Sequence, residues 1–332
     1  MTTVATEPAT TMKAVVCHRY GPDNLRLEEV AKPELADDGI LVRVHASSLN
    51  RADWYTITGR PWFARPMTGL VKPKSPLVGS DFAGTVEAVG KDAPDLEPGD
   101  EVFGGRSGSL AEYVCARMGF ARKPENMTLE EAATVPVAAL TALQGLRDHG
   151  RVQAGQKVLV NGASGGVGIF AIQIAKALGA EVTAVCSTRN VDQAGELGAD
   201  DVIDYTRDDF TRSGRRYDVL FDIAGNRSWR ACTRALESHG TIVLVGGPKK
   251  DPLLGPLGHI MRLKLASLLG RRRAAFFIAK FNRPDLNALR ELVEDGHVKS
   301  VIEKRYDFGE APEALRYMGE GHVRSKVVVT IP

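Results

Sequence analysis

Apolar and polar positions along the chain fall into two regimes. From Met12 to about Arg122, short β-prone runs alternate with turn residues: Ala14–Cys17, Ile40–His45, Gly84–Val89, Glu101–Phe103 and Glu112–Cys115. Runs of this length between Gly, Pro, Asn and Asp predict strands, so this part reads as all-β. From Ala132 to about Phe281 the period changes. Apolar runs at Lys157–Val160, Glu181–Val185, Val202–Asp204, Asp218–Asp222 and Thr241–Val245 alternate with helical spacing over Ile169–Leu178, Val191–Leu197 and Arg227–Leu236. That alternation predicts βαβ units, a parallel sheet and helices on both of its faces. After Pro284 come a helix at Leu286–Glu294, the run Val298–Ile302, a helix near Glu310–Glu320 and a strand at Lys326–Ile331. Returning this tail to the β-rich part gives 12–131 and 284–332 as one domain, 132–283 as an inserted α/β domain, and 1–11 as a loose start.

Composition narrows the class. A chain of 332 residues, 43% hydrophobic and 25% charged, has the size of about two domains and the make-up of a folded globular protein. The net charge of +2 gives no broad attraction for nucleic acid, so any anion site must be local. Cysteines 17, 115, 186 and 232 form no CxxC pair and predict a reducing compartment. No apolar run approaches the ~18 residues that span a bilayer, and the Thr-rich, acidic start lacks the features of a leader, so a soluble cytoplasmic protein is expected. The stretch Leu253–Ala279 holds an apolar helix with His259, Arg262 and Lys264, then Arg271, Arg272 and Arg273. It has the chemistry to rest on an anionic membrane, but a cleft helix or a subunit-contact strand explains it with fewer assumptions. No membrane partner is expected, and the run Ala274–Ala279 reads as a strand buried on both faces.

The strongest chemistry lies in Lys157–Ala177, KVLVNGASGGVGIFAIQIAKA. An apolar strand runs into Gly162, Ala163, Ser164, Gly165, Gly166, Val167 and Gly168 and then into a helix, the context a dinucleotide-binding turn requires. Glycines let backbone N–H groups approach a pyrophosphate, and the positive end of the helix stabilises its charge. The next strand ends in Cys186, Ser187, Thr188, Arg189 and Asn190, with no acid where an NAD site carries one for the ribose hydroxyls. Ser187 and Arg189 offer a hydroxyl and a guanidinium for a 2′-phosphate, which points to NADPH (NADP) as cofactor. Two more loops, Ala224-Gly225-Asn226 and Val245-Gly246-Gly247, follow apolar strands at the edge where such sheets bind ligands.

These residues resemble the medium-chain dehydrogenase/reductase superfamily, in particular its zinc-independent quinone-oxidoreductase-like branch. The resemblance is carried by VNGASGGVGIFAIQIAKALGAEV, LGADDVIDY and YDVLFDIAGN, and extends through SSLNRADW, GSDFAGTVEAVG, GDEVFG, VPVAALTALQGL and the terminal KVVV. It implies a GroES-like β domain made from both chain ends, a Rossmann domain with a six-stranded doubly wound parallel sheet, a cleft between them, and a homodimer or tetramer. It also implies that Asn50 and Thr141 lie near the nicotinamide, and that Tyr205 and Lys326 occupy positions contacting cofactor phosphate or ribose.

Zinc-dependent members of that superfamily use a Cys, a His-Glu pair and a third ligand. The matching positions here are Asn50, Ser80-Asp81 and the neighbourhood of Val137, which are poor zinc donors, so no metal is expected. Without a Lewis acid the reaction that fits is hydride delivery to a small electrophile, a quinone, enone or related activated carbonyl, whose conjugation spreads the developing charge. Tyr55 is a candidate proton donor or substrate-oxygen partner and Asp53 a candidate orienting group; a wall residue and a structural carboxylate are the plainer readings. Two rival functions stay open: an NADP(H)-dependent alcohol or aldehyde dehydrogenase, and a non-catalytic NADPH-binding or membrane-peripheral protein.

Overall fold

The computed structural model describes residues 10–62, 65–93, 95–246, 256–267, 271–321 and 323–332. Gly247, the first part of the stretch Leu253–Ala279, and His322 therefore lie outside the described residues, and the side chains of His259 and Arg262 are likewise not described.

Six parallel strands form the inserted domain, in the spatial order Asp201–Asp204, Glu181–Cys186, Lys157–Asn161, Tyr217–Asp222, Leu236–Leu244, Arg273–Phe276. Chain order is reversed at Lys157–Asn161, which creates a switch point beside it, the place where open α/β sheets bind ligands. The central strands are buried on both faces, in keeping with their unbroken apolar runs. Helix Gly166–Ala177 is buried continuously from Gly168 to Ala175 because it lies between this sheet and helix Pro136–Gln144.

The chain ends build the second unit. Strand Ile40–Leu49 pairs on one edge with Asp81–Val89 and on the other with Lys326–Thr330, which in turn pairs in parallel with Ile302–Asp307. Glu101–Gly105 and Phe120–Arg122 extend this sheet, and Thr11–Cys17 pairs separately with Leu25–Ala31. Each unit has its own apolar cluster, and the larger cluster also joins Ala46, Ala83 and Val328 to the parallel sheet's helices. Among the described residues no helix is long and apolar enough to cross a membrane.

Two sequence expectations need correction, and one run left open is settled. In the run Val298–Ile302, left unassigned by its pattern, the N–H groups of His297 and Val298 fold back onto the Leu292 carbonyl to close the preceding helix, and strand pairing starts at Ile302. The run Ala274–Ala279 is not buried on both faces. Only Arg273–Phe276 is strand; it is the outermost of six with a neighbour on one side, and Ile278 beyond it is 74% exposed. The helix expected over Arg227–Leu236 shrinks to Trp229–Arg234, because the Ser228 hydroxyl accepts from the Ala231 N–H and fixes its start.

Candidate functional site

At the switch point the glycine-rich turn makes close backbone contacts. A side chain on Gly168 would overlap the carbonyls of Gly162 and Ala163, and one on Gly246 would overlap the Ile223 carbonyl. Gly165 is the residue before helix Gly166–Ala177, and the first-turn N–H groups of that helix have no intrahelical partner. Behind the turn, Asn161 Nδ2 donates to Asp222 Oδ1 at 2.8 Å, and the Gly225 N–H donates to the same oxygen at 2.9 Å. The Val245 N–H donates to the Asp222 carbonyl at 2.9 Å. Buried Asp222 thereby ties the loops at Gly162, Ala224-Gly225 and Val245-Gly246 into one rim. The residues Gly162, Ala163, Ser164, Gly165, Gly166, Val167 and Gly168 thus form one concave turn at a helix start, a fit for a dinucleotide pyrophosphate.

One strand over, Ser187, Arg189 and Asn190 follow Glu181–Cys186, and Tyr205, 55% exposed, follows the neighbouring strand Asp201–Asp204. Asn190 Nδ2 donates to Ser187 Oγ at 3.1 Å, while its Oδ1 is buried without a hydrogen-bond partner. Sequence reading missed Asp204 here. Its carboxylate accepts from Thr188 Oγ1 at 2.5 Å and Thr206 Oγ1 at 2.7 Å, and the Thr188 bond first, with Thr206 and Arg207, holds its pKa low. The flanking threonines were the signal: they make Asp204 a loop-fastening carboxylate, already engaged within the protein.

The second half of the site is a buried polar cluster whose position follows from strand register. Val327 pairs with Leu49 and Val328 with Ser48, so the antiparallel ladder brings Lys326 beside Asn50. Lys326 Nζ donates to Asn50 Oδ1 at 2.7 Å and lies 3.6 Å from Asp81 Oδ2. That carboxylate oxygen also accepts from Asn50 Nδ2 at 2.7 Å and Ser48 Oγ at 2.9 Å, while Asp81 Oδ1 accepts from the Val137 N–H at 2.9 Å. Asn50 is the residue before helix Arg51–Thr58, where it forms a capping box with Asp53. Asp53 closes the network: Oδ2 accepts from the Asn50 N–H at 2.8 Å and Oδ1 from Ser80 Oγ at 2.5 Å. Tyr55 sits half-buried on the same helix with the Arg51 guanidinium 5.5 Å over its ring, and Thr141 is half-buried on helix Pro136–Gln144 with its hydroxyl bonded to the Val137 carbonyl at 2.6 Å. The fold therefore gathers Asn50, Asp53 and Lys326 at one place. The Lys326 ammonium is turned to Asn50 and Asp81, while its stem passes the glycine turn at Gly166. Asp81 and Val137 stand where the resemblance set the zinc-ligand positions, and Ser48 is a member that sequence reading had not assigned to the site; a serine pair inside an otherwise apolar strand was the available signal.

Electrostatically the cluster holds two carboxylates and one ammonium out of water. Burial pushes the Asp81 carboxyl up, opposed by Lys326, Asn50, Val137 and Ser48, and burial pulls the Lys326 ammonium down, opposed by both carboxylates. Burial, opposed by the bonds from Ser80 and Asn50, pushes Asp53 up to about 6. The folded chain thus binds this proton more tightly than the unfolded one, so the associated stability is complete below the ordinary carboxylate value of 3.8 and is lost as pH rises through about 6. A shift of that size corresponds to at most about 3 kcal/mol. Denaturant unfolding at pH 5 and pH 8 is expected to show the wild type losing stability across this interval and Asp53→Asn losing distinctly less; equal slopes would assign the proton elsewhere.

The donors at this place do not suit zinc. Asp81 is the one carboxylate at the three expected ligand positions, its oxygens are already bonded and faced by an ammonium, and Asn50 and Val137 contribute an amide and a backbone N–H. Among the described residues no group of three or more His, Cys, Asp or Glu side chains is placed to hold a metal ion.

Comparison with known proteins agrees with this architecture. Residues 36–144 match the family model for the alcohol dehydrogenase GroES-like domain, and residues 197–329 match the model described as zinc-binding dehydrogenase. The chain is 31% identical to the chloroplastic quinone-oxidoreductase QR1 of Triphysaria versicolor, over 96% of this chain and 98% of that protein. It is likewise 31% identical to the 2-methylene-furan-3-one reductase of Solanum lycopersicum, over 96% of this chain and 79% of that one. The solved quinone oxidoreductase from Coxiella burnetii superposes with a TM-score of 0.83 at 32% identity, covering 97% of this chain and 100% of that one. With both unit types present, matched across nearly their whole length, the chain belongs to the medium-chain dehydrogenase/reductase superfamily, in its quinone-oxidoreductase-like branch.

Proposed function

We propose that this oxidoreductase uses NADPH to deliver hydride to a quinone, an enone or a related activated carbonyl, without a catalytic metal. One observation carries the reading: beside a dinucleotide-shaped turn, the positions that would hold zinc are joined into a bonded network of Asn50, Asp81 and Lys326. When bound, the reduced nicotinamide supplies the hydride. The rim loops orient the cofactor, and the helix Gly166–Ala177 meets its pyrophosphate with first-turn N–H groups. As hydride adds to the conjugated acceptor, the electron pair moves to the acceptor oxygen, which then takes a proton from Tyr55 or a cleft water. The relatives named as a quinone oxidoreductase and a furanone reductase act on acceptors of this conjugated kind by their names, which supports the same class here. The test is NADPH consumption across quinones, enones, aldehydes and ketones with a strong chelator present. Turnover of conjugated acceptors supports the reading; turnover of simple alcohols or aldehydes alone, or activity lost to the chelator, overturns it.

NADPH rather than NADH follows from Ser187, Arg189 and Asn190 at the strand end, with Asp204 already engaged by Thr188 and Thr206. A guanidinium–phosphate contact contributes about 1.5–3 kcal/mol, roughly ten- to a hundredfold in affinity. Arg189→Ala is therefore expected to weaken NADPH by that factor and leave NADH nearly unchanged in fluorescence titrations. Equal losses for both cofactors would remove the phosphate role. Asn50 and Thr141 beside the nicotinamide, Tyr55 as proton donor, Tyr205 on the ribose side, a cytoplasmic setting and a homodimer are the remaining parts of the proposal.

A further inference from the structure

The buried ammonium of this cluster is placed in a way that stability alone does not account for. Lys326 is 1% exposed, and no other lysine or arginine among the described residues is buried. Burying a charge is costly unless it is closely paired, yet Nζ makes its hydrogen bond to the neutral amide oxygen of Asn50 at 2.7 Å and stands back from the Asp81 carboxylate at 3.6 Å. The two charges therefore act on the amide from opposite ends. Asp81 takes an N–H from Nδ2 at 2.7 Å, and Lys326 holds Oδ1. A flipped amide would set NH₂ against the ammonium and oxygen against the carboxylate, so the orientation is locked. Hydrogen bonding from a cation to an amide oxygen also draws electron density from the nitrogen and strengthens the remaining N–H as a donor. Asn50, at 8%, is more exposed than Asp53, Asp81 or Lys326.

We propose that Lys326 is a positioning residue for hydride transfer: through its bond to Asn50 Oδ1 it fixes and polarises the Asn50 carboxamide, whose second Nδ2 hydrogen then donates to the acceptor oxygen as negative charge develops there. The inference rests on the reductase reading above. A fixed positive charge, one amide away from the acceptor, does part of what a metal's charge does in a zinc enzyme. It also gives the terminal strand a role at the centre of the site, with the Lys326 stem lying 3.1 Å from where a side chain on Gly166 would begin.

Lys326→Met alone leaves Asp81 buried and unpaired, a change that can prevent folding. The test therefore compares Lys326→Met/Asp81→Asn with Asp81→Asn, both carrying a neutral residue at 81. Measured are Tm, the NADPH Kd by fluorescence, and kcat and KM for an enone that the wild type reduces. The expected result is that, relative to Asp81→Asn, which itself leaves the ammonium buried beside a neutral residue, the double variant has an equal or higher Tm, keeps Kd and KM within about threefold and loses kcat by at least roughly thirtyfold, about 2 kcal/mol of transition-state stabilisation. A kcat within threefold of Asp81→Asn overturns the proposal and leaves Lys326 a structural group. A loss confined to the NADPH Kd, with kcat at saturation unchanged, also overturns it and assigns the ammonium to the cofactor. A wild type inert toward every quinone and enone is a different failure: it removes the reductase reading, and this inference with it, before any variant is compared.

Discussion

Purified protein with NADPH is expected to reduce an enone or quinone with a kcat/KM at least roughly a hundredfold above that for the matching saturated ketone, about 2.7 kcal/mol of transition-state preference. Hydride addition to an isolated carbonyl places a full charge on one oxygen. A zinc ion stabilises such an alkoxide directly, but the corresponding place here holds Asn50, Asp81 and Lys326, whose donors and acceptors are largely used on one another. What the site has to offer a substrate oxygen is hydrogen bonding. Conjugation lowers that demand, because hydride added at the far carbon yields a delocalised enolate or phenolate that Tyr55 or a cleft water then protonates. The matched pair isolates this effect, since both ketones share size and shape while only one spreads the charge. Equal or reversed efficiencies would move the chain to the alcohol dehydrogenase alternative.

The sequence made the parallel sheet and its cofactor edge legible because their signals are local. A strand, seven residues rich in glycine and a helix stand in unbroken succession from Lys157 to Ala177, and the structure keeps them so. The polar cluster was legible only in part: the resemblance set Asn50, Asp81 and Val137 together as zinc-ligand positions, but not Lys326 with them. Asn50, Asp81, Val137 and Lys326 come from four distant segments, and what unites them is the pairing of strand Lys326–Thr330 with Ile40–Leu49 and the packing of helix Pro136–Gln144 against Asp81. Neither is encoded in a local period. Burial reversed the meaning of some residues as well. The resemblance sets Lys326, the first residue of the terminal strand, at a position contacting cofactor phosphate or ribose, and in the folded chain its ammonium is directed to an amide and a carboxylate inside the protein. The strand at Arg273–Phe276 went the other way: its apolar run suggested two covered faces, and its place at the sheet edge leaves it half-buried.

Two alanine substitutions three positions apart in the turn separate what the glycines do for the fold from what they do for the ligand. Gly168→Ala would drive a methyl group into the backbone carbonyls of Gly162 and Ala163, neither of which can move without displacing the turn from strand Lys157–Asn161. A cost on the order of 3 kcal/mol is expected, read as a fall in Tm, with cofactor binding impaired as a consequence. Gly165→Ala differs in kind. A Cβ there meets nothing nearer than the Gly162 carbonyl oxygen at 3.6 Å, and the backbone at φ −79° and ψ 171° suits any residue. The protein's own packing supplies no reason for glycine at 165. The expected penalty to the fold is that of an unfavourable helix-start residue, below about 1 kcal/mol and a few degrees in Tm. If the turn closes on a pyrophosphate, a methyl group at this position stands between the backbone N–H groups and the phosphate oxygens. NADPH affinity is then expected to fall at least roughly a hundredfold with the apo protein almost as stable as the wild type. Calorimetry for stability and fluorescence titration for NADPH read the two effects separately, and a Gly165→Ala protein that binds NADPH as tightly as the wild type would show that the cofactor does not lie against this turn.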